Sequence, residues 1–329
     1  MVTDYVMFIH GVRTRNNILN PSYADPLFAN IQALVTETAS SLRLEKVALY
    51  WGDVANAEED QLKQTYERSP TWPQFWFRDV RETLLLQFVG DWALYTSRYV
   101  GAKIVQTLKD QLVSLLHASQ PEDRLHLVTH SFGAIILFDL LFSSRWDPPD
   151  VPGHANVMLI RDALYGIDPN SAHGLRTASV HTMGSPLGLF SLMDVDSSEQ
   201  NRSNATHDVT PRLQKLLLSL AQQREGKPLP WLNFAHPGDP LAYPLDPLLY
   251  EIVDGEKRYL AVRDQISHPM TWFERLIGLL SQREIALVGF SLAHSSYWRD
   301  KEVAALIAHT IRESAQAPAV GSGVLRPIS

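Results

Sequence analysis

The sequence predicts an α/β fold: a mostly parallel central sheet with helices on both faces and helical, cap-like insertions. Two patterns point there. Short apolar runs rich in β-branched and aromatic residues recur along the chain and stop at glycine, proline or polar residues, as strands covered on both faces do. The segments between them are longer and mainly helical in periodicity, the alternation that gives parallel strands joined by crossovers. Composition agrees. The chain has 329 residues, 45% apolar and 20% charged, the balance of a globular protein long enough to bury a large core. One domain over 1–313 is expected, with insertions at about 55–100 and 143–175 and a disordered tail over 314–329.

The first strand is expected at Tyr5–Ile9, a run that halts at His10-Gly11. Lys46–Trp51, halted by Gly52-Asp53, is the second; Leu125–Thr129, Ala178–Met183 and Trp231–Ala235 follow as third, fourth and fifth. Between the second and third, Phe77, Val80, Leu84, Phe88, Trp92, Tyr95 and Tyr99 recur at steps of three or four, and Ile104, Leu108, Leu112 and Leu115 continue the stripe. That spacing puts apolar side chains on one helical face, with Gly90 and Gly101 as breaks or points of close packing. Core-facing helices are the simplest reading. Phe75, Trp76 and Phe77 are consecutive, however, and one face cannot bury all three, so a second reading makes Trp72–Tyr99 part of an apolar cap over a site. Trp146–Gly174, with three proline-containing turns, and the polar stretch Asp194–His207 read as loop-rich excursions. A final helix is expected from about Lys301 to Ala315.

Charge and cysteine content exclude several function classes. Twenty-nine basic against 36 acidic residues leave a net charge of −7, which is not the footprint of a nucleic-acid binder. No run of Lys or Arg suits a polybasic membrane anchor. With no Cys there is no disulfide, no thiolate nucleophile and no Cys-based zinc or iron–sulfur site. The apolar run Tyr5–Ile9 lacks a basic segment before it and is too short for a signal peptide. No apolar run reaches the ~18–20 residues that span a bilayer. The expected address is cytoplasmic, with export as an effector by a route without a cleaved signal left open.

The residues that carry chemistry begin with Leu125-His126-Leu127-Val128-Thr129-His130-Ser131-Phe132-Gly133, followed by the apolar run Ala134–Phe138. A strand runs into Thr-His-Ser-Phe-Gly and leaves as a helix, the context in which a sharp turn lifts a serine hydroxyl off the sheet edge. The bland reading of Ser131 is a helix cap. His126-x-x-x-His130 suggests a metal pair only weakly, because i, i+4 converges on a helix and not on a strand. Neither phosphate-loop nor dinucleotide-binding fingerprints occur.

On these motifs, and on Ile9-His10-Gly11-Val12, Met183-Gly184-Ser185-Pro186-Leu187, Asp239-Pro240 and His294-Ser295-Ser296-Tyr297, the chain resembles the α/β-hydrolase family, in particular its lipase-like members. The resemblance runs from about Tyr5 to Asp300. Thr129 departs from it, standing where the family usually has the first elbow glycine. The resemblance implies an oxyanion hole made by the backbone amides of Val12 and Phe132, with His10 a structural histidine and Met183–Leu187 lining the site. It also implies the order serine, acid, histidine. Asp239 is the chosen acid, after the fifth strand and a turn, with Asp246 in reserve and a local turn cap as its bland reading. His294 is the chosen base, ahead of His268 and of His309, which would lie inside the last helix.

A serine hydrolase of acyl esters is therefore expected, lipase- or esterase-like, working through Ser131, His294 and Asp239 and an acyl-enzyme. No cofactor and no metal are called for. The expected partners are an acyl-ester or lipid substrate, with transient contact to a membrane surface left open and no nucleic acid. A phospholipase-type effector, an acyltransferase and a catalytically silent binding module of the same fold remain as alternatives.

Overall fold

Every strand of the sheet runs parallel to its neighbours. In the computed structural model, which describes residues 2–12, 21–38, 42–54, 56–76, 78, 87–120, 122–165, 175–190, 217–218, 221, 224, 226–267 and 293–316, the strands are β1 (Thr3–Ile9), β2 (Arg43–Leu49), β3 (Arg124–His130), β4 (Arg176–Met183), β5 (Leu229–Ala235) and β6 (Leu260–Ile266). They lie in the order β2-β1-β3-β4-β5-β6. The helices described are α1 (Asp25–Thr38), α2 (Asn56–Glu67), α3 (Gln87–Thr96), α4 (Arg98–Ala118), α5 (Phe132–Phe142), α6 (His154–Tyr165), α7 (Leu187–Phe190), α8 (Asp246–Ile252) and α9 (Lys301–Gln316).

Alternation along the strands builds the two faces, because successive side chains point to opposite sides. Tyr5, Met7 and Ile9 of β1 join Leu125, Leu127, Val180 and Trp231 in one cluster with α4, α5 and α6. Val6 and Phe8 join Val128, Leu232 and Phe234 in a second, covered by α1 and α9. Each fully buried Leu, Ile or Phe contributes about 1.5–3 kcal/mol on transfer from water. α5 is apolar all round, and its one charge, Asp139, accepts hydrogen bonds from Tyr95 Oη at 2.6 Å and Trp146 Nε1 at 2.8 Å. Those bonds tie α3 to α5 beneath the elbow. Among the described residues no helix is long and apolar enough to cross a membrane.

The strand order locates a crevice. From β1 the chain winds outward to β2, then returns to place β3 on the other side of β1. Loops leaving β1 and β3 must therefore diverge to opposite faces, and in open parallel sheets ligands bind outside the carboxyl ends of the strands at that point. Gly11-Val12 and Ser131 are the residues that leave these two ends.

The α/β class is as expected, and several boundaries are corrected. β2 begins at Arg43, three residues ahead of the apolar run, because an outer strand with half-buried residues tolerates Arg and Glu. β6 was not expected: Arg263, Asp264 and Gln265 interrupt its apolar alternation, as an edge strand allows. The long stripe breaks at Ser97, not at Gly90 or Gly101. Tyr95, Ile104, Leu108 and Leu112 are buried as predicted, whereas Tyr99 is 77% exposed. Within the predicted excursion 146–174 stands α6, whose Val157, Ile160 and Leu164 enter the core. Residues 314–316 belong to α9 and not to a tail. Phe77, Val80, Leu84, the stretch 194–207 and His268 lie outside the described residues.

Candidate active site

β3 ends at His130 and α5 begins at Phe132, so the change of direction falls on Ser131. Its backbone sits at φ 54° and ψ −126°, a conformation that a residue with a Cβ rarely adopts. Such strain costs of order 1–3 kcal/mol and persists only where the surroundings over-determine it. Here they do. Ser131 N–H donates to Met183 O at 2.9 Å, and Ser131 O accepts from Ala134 N–H at 3.0 Å. Two glycines let the neighbouring backbone close in: a Cβ on Gly133 would stand 2.4 Å from Ile9 O, and one on Gly11 would stand 2.6 Å from Ser131 Cβ. Thr129, at the departure from the elbow pattern, is a buried strand residue paired with Ile9 and Thr182, a place that suits a β-branched side chain. Ser131 Oγ is buried and makes no hydrogen bond among the described residues.

His294 Nδ1 lies 2.9 Å from Asp239 Oδ2. Burial works to raise the Asp239 carboxyl, but hydrogen bonds from His294, the Leu241 N–H and Tyr297 outweigh it and hold the group below the usual carboxylate value. The acid is thus ionised, Nδ1–H is the donor, and Nε2 is the nitrogen able to accept a proton. Tyr297 Oη donates to the same Oδ2 at 2.9 Å and accepts from His236 N–H at 2.7 Å. Burial and then the Asp239 charge raise the Tyr297 phenol, which keeps its proton.

His130 joins this pair to the elbow. Its ring packs against the His294 ring with centroids 4.7 Å apart, and its Nε2–H donates to His294 O at 2.6 Å. Burial and then the His294 imidazole push His130 down to about 3, so it stays neutral and acts as a spacer. The residue before Ser131 thus touches His294, while Ser131 Oγ makes no hydrogen bond to it in this structure.

Above the serine, His10 Nδ1 donates to Gly11 O at 2.6 Å, while its Nε2 accepts from Trp51 N–H at 3.1 Å. The His10 ring stacks on Trp51, as a structural histidine would. Because the peptide is planar and trans, fixing the Gly11 carbonyl also fixes the direction of the Val12 N–H. Phe132 N–H belongs to the first turn of α5, where helix amides have no intrahelical acceptor.

Asp246 opens α8, where its N–H donates to Asp264, and His294 is bonded to Asp239 instead. His309 lies on α9, 58% exposed in its side chain and 3.8 Å from Glu313. His126 turns to Asp4 and Ser179 and His130 to His294, so the two rings share no partner. Ser185 is buried and its Oγ accepts from Leu187 N–H. The roles of His130 and of Gly184 against Asp239 and His294 were not foreseen. A histidine before an elbow serine and a glycine after a strand end were the available signals. No family model matches the chain, and no curated protein matches it.

Proposed function

We propose that the chain is a serine hydrolase of carboxylic esters, of the α/β-hydrolase kind. The observation that carries the reading is a strained serine on a strand-to-helix turn, preceded by a histidine whose ring packs on a second imidazole held at Nδ1 by an ionised carboxylate. The strand order β2-β1-β3-β4-β5-β6 supports a doubly wound α/β sheet and no particular family, so the elbow and the pair bear the weight. In this reading Ser131 Oγ attacks the ester carbonyl carbon as its proton passes to His294 Nε2. The oxyanion is received by the amides of Val12 and Phe132. The C–O bond breaks with that proton going to the leaving alcohol, and acyl-Ser131 remains. Water repeats the sequence, releasing the acid and restoring the serine proton. Asp239 keeps the imidazole in the correct tautomer. The serine–histidine hydrogen bond absent from the free chain is of a kind that often tightens only when substrate binds.

Hydrolysis of p-nitrophenyl acetate and butyrate by the parent and by Ser131→Ala tests this. The expected loss is at least about a thousandfold, with the circular dichroism spectrum unchanged. A variant as fast as the parent would overturn the reading. Phe75, Trp76 and Tyr99 are exposed, Trp76 by 80%, and they favour a lipid substrate within the same chemistry. Faster turnover on vesicle-borne than on soluble esters is the result that version expects.

A further inference from the structure

At the opposite edge of the sheet from Ser131, the strand amino ends border a cavity of about 200 Å³. Its walls carry Arg124, Arg176, Arg224 and Lys227, and Glu313 of α9 is the only carboxylate among the described lining residues. In a chain of net charge −7, four cations on one small cavity are a local construction. Arg124 and Arg176 are register partners at the first positions of β3 and β4, so the parallel ladder itself sets two basic side chains next to each other.

The four charges differ in how they are used. Arg124 is neutralised, its Nε and Nη2 donating to Asp4 Oδ1 and Oδ2 at 2.6 and 2.7 Å. Among the described residues Arg224 has no such carboxylate. Its Nε donates to Pro228 O at 3.2 Å and its Nη1 to Ala178 O at 2.7 Å. Those neutral carbonyls fix the plane of the guanidinium and leave its charge in place, with further N–H donors to spare. Burial, and then repulsion from Arg176, pull Arg224 down to about 10. An oxyanion between them would reverse that repulsion, and a fixed guanidinium fork is the group that binds phosphoryl oxygens in parallel pairs. Lys227 adds an exposed ammonium at the mouth.

We propose that this cavity binds a phosphoryl group, held by Arg224, Arg176 and Lys227. Its volume is below the ~300–1,000 Å³ of pockets that enclose a whole drug-sized ligand. It corresponds to several waters of ~30 Å³ each, enough for a phosphate head group with its remaining substituent in solvent. The length of β3, seven residues at ~3.3 Å per residue, keeps the cavity about 20 Å from Ser131. Binding there is separate from the ester chemistry and stands or falls without it.

The test is thermal unfolding of the full chain titrated with sodium phosphate against sodium chloride at matched ionic strength. A saturable rise of Tm beyond the chloride control is expected, abolished in Arg224→Gln. In Lys227→Ala the apparent affinity should fall about tenfold, the effect of losing ~1.4 kcal/mol from one charged contact. The Lys227 side chain is exposed, so that variant leaves the fold intact. Equal rises in phosphate and chloride, or a parental response in Lys227→Ala, would overturn the site. Sedimentation with phosphatidylcholine vesicles containing phosphatidic acid separates the sources. Co-sedimentation that phosphate displaces and Lys227→Ala weakens assigns a lipid head group. A saturable phosphate response without co-sedimentation assigns a soluble phosphorylated compound.

Discussion

Acidification from pH 7 to pH 5 should remove about 4 kcal/mol from the stability of the fold through two buried histidines. His181 is fully buried, its Nε2 2.8 Å from Ser179 Oγ, and burial followed by the nearby His126 pushes it down to about 3. His130, packed against His294, is pushed down to about 3 by burial and then by that imidazole. In the unfolded chain both return to about 6.5. The folded values are the lower ones, so the unfolded chain binds the extra protons and stability falls as the pH drops from about 6.5 towards 3. pH 5 lies about 1.5 units below the unfolded value of each histidine, which amounts to about 2 kcal/mol apiece at ~1.36 kcal/mol per unit. His126, lowered chiefly by burial, acts in the same direction. Asp4 and Asp239 do not obscure the effect. Burial raises each, hydrogen bonds to Arg124 and His126 or to His294 outweigh it, and both end below the ordinary carboxylate value. Their stabilisation is lost only under about pH 4. Urea titrations at pH 7, 6 and 5 measure the slope, and His181→Gln should retain about half of it. A midpoint that does not move over this range, or a full slope in His181→Gln, would refute the assignment of the two neutral imidazoles.

Gly133→Ala should lower Tm, because its Cβ would meet Ile9 O at 2.4 Å and His10 O at 2.7 Å, backbone atoms that cannot swing aside. Overpacking of about 1–3 kcal/mol exceeds the ~1 kcal/mol by which alanine favours a helix, and a Tm at or above the parent's in calorimetry counts against the tight β1–α5 contact. Tyr297→Phe removes a donor to Asp239 and the acceptor of His236 N–H, so stability should fall by about 1–3 kcal/mol. Ester turnover should drop about tenfold at unchanged KM, and parental kcat in that variant would show that Tyr297 does not position the acid.

Much of the sheet could be read in the sequence because its central strands are buried on both faces. β1, β3, β4 and β5 carry runs such as Tyr5–Ile9 that no solvent-facing element would contain. β6 escaped notice for the complementary reason: at the edge, Asp264 is free to accept from Asn233, Leu245 and Asp246, and its chemistry hides the alternation. α6 was masked by the prolines before it, which shape the approach to the helix and not its body. At the site, Asp239 and His294 stand 108 and 163 positions beyond Ser131. Their meeting at one strand edge depends on the sheet order and not on any local pattern. His130 illustrates the limit. Its neighbour Ser131 marks it as part of a turn, yet its partner is the carbonyl of His294 across the site, a contact that only the packed fold brings about.

The central claim is that Ser131 is a nucleophile activated by His294. Labelling the parent and His294→Ala with a fluorophosphonate, followed by peptide mass mapping, tests it without knowledge of the substrate. The account predicts a single adduct on Ser131 in the parent that is lost or slowed at least about a hundredfold in His294→Ala. An adduct on another serine, or equal labelling of Ser131 in both proteins, would contradict it.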